Sequence, residues 1–178
     1  MNEPVGGLAA RALELAAARG ARIAVAESLT GGSLAAELVA VPGASLVFSG
    51  GIVAYDTGLK HSLLGVDAAL LAERGPVDAE VARQMASGAR RACAVPRAGE
   101  GASAEPVAAE VGVSTTGVAG PDPDPQTGQG AGAVWLGLSS ARGTRAVSLR
   151  ITGDRAAVRS GTVAAALREL VRELEAES

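Results

Sequence analysis

Apolar positions recur along this chain with two periods, and the alternation between them predicts its elements. Over residues 5–19, Leu8, Ala12, Leu15 and Ala16 share one helical face, Glu14 lies opposite and Arg11 sits at the flank. Arg19 in the last turn suits a helix C-terminus, and Gly20 stops the helix. Arg22 to Ala26 is a short apolar strand that runs into Ala26-Glu27-Ser28-Leu29-Thr30-Gly31-Gly32-Ser33. An alanine-rich helical pattern, Leu34 to Val39, leaves that stretch. The rest of the chain is organised around this strand, glycine turn and helix start, because such a turn exposes a serine and aims free N–H groups at a ligand.

After a turn at Val41-Pro42-Gly43-Ala44, residues Val47 to Tyr55 read as a strand interrupted at Gly50-Gly51. Thr57 to Leu64 reads as a short helix; Asp67 caps a helix over Ala68 to Arg74, and Asp78 caps another through Val81, Met85, Ala89 and Ala92. Pro96 to Pro106 is small, polar and glycine-rich and predicts a disordered surface loop within one domain. Glu110 to Thr115 alternates as a strand, followed by Thr116-Gly117-Val118-Ala119-Gly120-Pro121 and the proline- and glycine-rich Asp122 to Gly132. Ala133–Ser140 and Arg145–Ile151, joined at Arg142-Gly143-Thr144, form a hairpin. Val163, Leu167, Leu170 and Leu174 mark a last helix from Asp154 to about Glu175. Helices before, between and after strands predict an α/β fold: a three-layer α/β/α sandwich on a mixed, mostly parallel sheet.

Composition narrows the function. With 178 residues the chain is long enough to bury a core as a single domain over 1–178, and 48% hydrophobic against 2% aromatic residues makes that core aliphatic. A net charge of −3 without a basic stripe argues against nucleic acid, whose phosphates need clustered Arg or Lys. No apolar run approaches the ~18 residues of a membrane span, and no signal segment opens the chain. The single Cys93 excludes an internal disulfide, suits the reducing cytoplasm and reads as a packing residue in a helix. Lys60 is the only lysine among sixteen basic residues; His61 and Tyr55 are likewise the only ones of their kind. Arg cannot lose its proton in a protein, whereas a desolvated Lys can.

Walker A, G-x-G-x-x-G after a strand and G-x-S-x-G signatures are absent, and one His with one Cys cannot build the usual zinc site. No metal and no cofactor are therefore expected. What stands out is a serine on a strand-to-helix turn, Ser28, and one lysine beyond the next strand. A serine hydroxyl is a poor nucleophile until a base takes its proton, and a neutral amine can do so. Lysine's ordinary pKa is ~10.4 and a useful base lies at ~7–8, so the site must be partly desolvated. Tyr55 is placed to hydrogen-bond the amine or relay its proton. Gly31 and Gly32 are placed to donate N–H groups to an oxyanion or a phosphate. N-capping is the alternative role for Ser28, but Thr30 is the better-placed cap.

Five ordered motifs carry a family resemblance: Ala26 to Gly32, Gly51-Ile52-Val53-Ala54-Tyr55 with Lys60, Leu64-Gly65-Val66, Thr116 to Pro121, and Gly153-Asp154-Arg155. Together they resemble the CinA C-terminal domain family, the nicotinamide-nucleotide amidohydrolases, over nearly the whole chain. The family includes stand-alone deamidases and the C-terminal half of longer competence- and damage-inducible proteins, and the chain's length suits the stand-alone form. The resemblance implies hydrolysis of the carboxamide of nicotinamide mononucleotide to nicotinate mononucleotide and ammonia, a step of pyridine-nucleotide salvage. It implies Ser28 as nucleophile, Lys60 as its base and Tyr55 as an assisting hydroxyl. It further implies that Thr30, Gly31 and Gly32, with Gly117, Ala119 and Gly120, hold the substrate. Arg155 is a candidate for its phosphate, or else a charge in the first turn of a solvated helix.

The chain departs from the family pattern in four places. Asp56-Thr57 replaces the common serine and asparagine, and Gly75-Pro76-Val77-Asp78 replaces Gly-Ala-Val-Ser. Gln129 to Val134 lacks the usual lysine, and 96–106 is an insertion. The alternative to the amidohydrolase is a nucleotide-binding or regulatory module that keeps the pocket without turnover. The sequence leaves the oligomeric state open, a homo-oligomer included.

Overall fold

The structure is a computed structural model that describes residues 4–97, 99 and 103–176. Helix α1 (Val5–Arg19) ends as its sequence dictates: Gly20 takes the left-handed conformation at φ 60° and its N–H closes onto the carbonyls of Ala16 and Ala17. Strand β1 (Ile23–Glu27) follows, then α2 (Ser33–Val39), a 3₁₀ turn over Ala44–Leu46, and strand β2 (Phe48–Val53). Helices α3 (Thr57–Leu64), α4 (Ala68–Arg74) and α5 (Ala79–Ala92) lead to strand β3 (Val111–Gly117). The chain finishes with β4 (Ala133–Ser140), β5 (Gly143–Arg150) and α6 (Arg155–Ala176).

The five strands lie in the order β2-β1-β3-β4-β5. β1 pairs parallel with β2 and β3, while β4 runs antiparallel to both β3 and β5, so one strand alone opposes the rest. The expected hairpin is present with a tighter turn. Ser140 pairs with Gly143, so Ala141 and Arg142 form the connection, and Gly143 at φ 106° opens β5 rather than sitting in the turn. β2 stops at Val53, two residues before the expected end, because Ala54 turns its N–H to the carbonyl of Glu27 and Asp56 caps α3.

The two sheet faces differ in side-chain size. One, with Ile23, Val25, Val111, Val113, Val134 and Leu136, packs against α1, α2 and α6. The other is smooth: Ala24, Ala26, Gly112, Ser114 and Gly137 lie under α5, whose backbone comes so close that the Ser114 hydroxyl donates to the carbonyl of Ala82 at 2.7 Å. Asp67 and Asp78 cap α4 and α5 as expected. Cys93 is the residue after α5, half-buried against Gly50 of β2, and burial pushes its thiol pKa up. Residues 98 and 100–102 of the expected loop lie outside the described residues. Its base is closed by an antiparallel bridge between Val95 and Val107.

β1 connects outward to β2 and β3 connects the opposite way to β4, so the carboxyl ends of β1 and β3 flank the point where strand order reverses. Open α/β sheets bind ligands in the crevice at such a point.

Candidate active site

Ser28 follows directly on β1, and its N–H donates to Thr115 of β3 at 2.9 Å, which extends the ladder and fixes the serine over the crevice. Lys60 comes from the middle of α3. Asp56 accepts from the N–H of Gly58 and starts that helix, and Gly65 at φ 69° stops it. The Lys60 ammonium end reaches under the sheet edge, where Nζ lies 2.9 Å from Ser28 Oγ and 3.0 Å from the carbonyl of Ala54. Only 1% of Lys60 is exposed. Burial lowers its pKa from 10.5 to about 8, against an opposing pull from the carboxylate of Asp56. A buried amine with a lowered pKa in contact with a serine hydroxyl has the geometry that a nucleophile–base pair requires.

The pair opens into a cavity of about 480 Å³ lined also by Leu29, Tyr55, Thr116, Gly117, Ala119 and Arg155. Leu29 and Ala119 have backbone N–H groups that donate to no protein group among the described residues. Arg155, the first residue of α6, donates from Nη1 to the carbonyl of Gly120 at 2.8 Å and from Nη2 to the hydroxyl of Tyr55 at 2.9 Å. It is therefore a cavity residue and not merely a solvated charge. Asp56 and Thr57 also line the cavity, and Pro76, Val77, Asp124 and Pro125 complete its wall.

Three expectations about hydrogen bonding are corrected. Thr30 does not cap α2. Its hydroxyl is buried 2.7 Å from that of Thr115, and Gly32 at φ 96° occupies the cap position with no side-chain bond of its own. The N–H groups of Gly31 and Gly32 are not free for a ligand either. Gly31 donates to the carbonyl of Ser28, and Gly32 donates with Leu34 and Ala35 to the buried carboxylate of Glu27 at 2.8–3.0 Å. The carboxylate of the residue just before the serine thus fills the helix N-terminus, where its charge also meets the helix dipole. Tyr55 is exposed and bonds Arg155, so its hydroxyl is not the partner of Lys60. Of the expected site residues, Ser28, Lys60, Tyr55, Gly117, Ala119 and Arg155 line one cavity, whereas Thr30, Gly31, Gly32 and Gly120 are not among its lining residues.

Sequence reasoning missed Glu27, Arg159 and the wall from Pro76, Val77 and Asp124. Glu27 stands beside Ser28 in the opening motif, and Arg159 stands one helical turn after Arg155; those neighbourhoods were the only signals. Gln129, where the family lysine is missing, donates to the carbonyl of Val77 at 2.7 Å and holds that wall instead of facing the cavity.

The sequence model of the CinA C-terminal domain matches residues 6–174. This chain belongs to that family. A CinA-like protein of Frankia casuarinae is 44% identical over 162 residues, which cover 91% of this chain and 34% of the relative. A putative competence-damage inducible protein of Desulforamulus reducens is 42% identical over 84% of this chain and 32% of its own length. The chain thus spans about a third of the curated relatives it matches. Among solved structures, a competence-damaged protein (CinA) superfamily protein from Klebsiella pneumoniae superposes with a TM-score of 0.84 at 29% identity, covering 97% of this chain and 99% of that one. A competence/damage inducible protein from Agrobacterium tumefaciens gives 0.81 at 30% identity, covering 96% and 95%. The mixed five-stranded sheet with helices on both faces is the fold of this superfamily.

Proposed function

We propose that the protein hydrolyses the carboxamide of nicotinamide mononucleotide through a Ser28–Lys60 pair, releasing ammonia and nicotinate mononucleotide. The observation that carries this reading is the 2.9 Å contact between Ser28 Oγ and a buried Lys60 whose pKa is lowered to about 8. The neutral amine takes the hydroxyl proton as Oγ attacks the carboxamide carbon. Leu29 and Ala119 line the same cavity and their N–H groups have no partner among the described residues, which makes them the candidate donors to the oxyanion. On collapse the C–N bond breaks and Lys60 returns its proton to the departing nitrogen, which leaves as ammonia. The acyl ester on Ser28 is then cleaved by water that Lys60 deprotonates, and the serine is regenerated.

Arg155 supports an anionic group on the substrate. Two of its guanidinium donors hold Tyr55 and Gly120 and orient the fork, leaving further N–H groups for phosphate. Pro76, Val77, Leu29 and Ala119 give the walls an apolar character suited to a flat ring. Ammonia release from nicotinamide mononucleotide by the purified protein, absent in Ser28→Ala, is the expected result. A protein that binds the nucleotide and releases no ammonia would be the binding module instead.

A further inference from the structure

We propose that Arg159 is a positioning residue that holds the nucleophile turn in its reactive geometry; the inference rests on the Ser28–Lys60 reading. Residues 28–32 form a turn with Gly31 and Gly32 at φ 59° and 96°, and Gly32 at the cap position has no side chain of its own to hold it. From α6, Arg159 Nε donates to the carbonyl of Leu29 at 3.0 Å, and Nη2 donates to the carbonyl of Thr30 at 2.9 Å and to Ser33 Oγ at 3.2 Å. One planar guanidinium thereby fixes two successive peptide units of the turn, a geometry an ammonium cannot reproduce. The first of those units belongs to Leu29, the residue after the nucleophile, which lines the catalytic cavity. Glu27 anchors the far side of the same turn through Gly32, Leu34 and Ala35. Without Arg159 the carbonyl of Leu29 loses its partner, that of Thr30 keeps only the N–H of Ser33, and the side chains hold the glycine turn from one side only.

Arg159 itself does not line the catalytic cavity. It lines a second one of about 270 Å³ with Ser33, Glu37 and Ser160, on the other side of the turn. It therefore acts through the turn and not on the substrate. That second cavity also makes chemical rescue feasible. Removing the side chain in Arg159→Ala enlarges a space already lined by the carboxylate of Glu37, and a free guanidinium ion can enter it.

The experiment compares wild type with Arg159→Ala on two readouts: ammonia release from nicotinamide mononucleotide, and phosphonylation of Ser28 by a fluorophosphonate probe, which expels fluoride and does not depend on the substrate's identity. The expected result is a folded variant with kcat and probe reactivity lowered about tenfold to a hundredfold, the effect of a small misplacement at the reacting centre. KM should change little, and millimolar guanidinium chloride, well below denaturing levels, should restore part of both rates. Wild-type rates in the variant overturn the inference, and so does a loss in a folded variant that guanidinium leaves unchanged. If Arg159→Ala does not fold, Arg159→Lys is read instead, and full activity there overturns the inference equally. A wild type that reacts with the probe but releases no ammonia removes the proposed substrate and leaves Arg159 tested by labelling rate. A wild type inert to both overturns the two readings together.

Discussion

Arginine in place of Lys60 separates charge from proton transfer, because it keeps the cation and cannot act as a base. Lys60→Arg is expected to retain nucleotide binding while kcat falls at least about a hundredfold, within the ~10²–10⁴ attributed to a positioned base. A rate near wild type, measured with affinity on the same preparation, would reduce Lys60 to a charge. The base form of Lys60 is the neutral amine, and its pKa is about 8, so kcat/KM should rise with pH below that value and level off above it. Asp56 opposes the lowering. Asp56→Asn keeps an oxygen for the Gly58 N–H and removes the charge, so the midpoint of the pH profile should move down; an unmoved midpoint would mean that another group controls it. Ser28 and Lys60 were readable from the sequence because each is singular, a serine before two glycines and one lysine in an arginine-rich chain. Arg159 was not. Its bonds span 129 and 130 positions, and nothing local distinguishes an arginine that faces a turn from one that faces water.

Helix α5 lies where it does because β1, β3 and β4 present almost no side chains to it. A Cβ on Gly137 would collide with the carbonyl of Ala82 and one on Gly112 with that of Ala86, both backbone groups of α5 that cannot rotate away. Gly137→Ala is therefore expected to destabilise the fold by about 1–3 kcal/mol, as overpacked interiors do, read as a lower midpoint in urea with an unchanged slope. An unshifted midpoint would show that α5 can lift off the sheet. The elements themselves were legible: the caps at Asp67 and Asp78, the stop at Gly20 and the hairpin all follow from local chemistry. The start of α2 was not, since its donors go to Glu27, which sits inside a strand and carries no capping signature. The layering was legible from the alternation of elements. The strand order was not, because it depends on which small faces let a helix approach.

Burying Lys60 couples the site to the stability of the entire fold. Its pKa is about 8 in the folded protein against 10.5 when free, so between these values the unfolded chain holds a proton that the folded one has released. Stability must then rise with pH through that window, and below about 8 the full penalty is present. A difference of that size corresponds to about 3 kcal/mol, offset in part by the bonds from Nζ to Ser28 and Ala54. Lys60→Met removes the charge and keeps most of the volume. The variant is expected to be inactive and, at pH 7, at least as stable as the wild type. Its advantage should shrink by about 3 kcal/mol as the pH is raised to 10.5. Lys60 is the only lysine, so no other lysine blurs the comparison, and the remaining alkaline groups are common to both proteins and cancel in the difference. Urea denaturation of the pair at pH 7, 9 and 10.5 measures it. A stability difference that stays constant across those three values would mean that the fold does not lower the pKa of Lys60, and the base assigned to Ser28 would be lost with it.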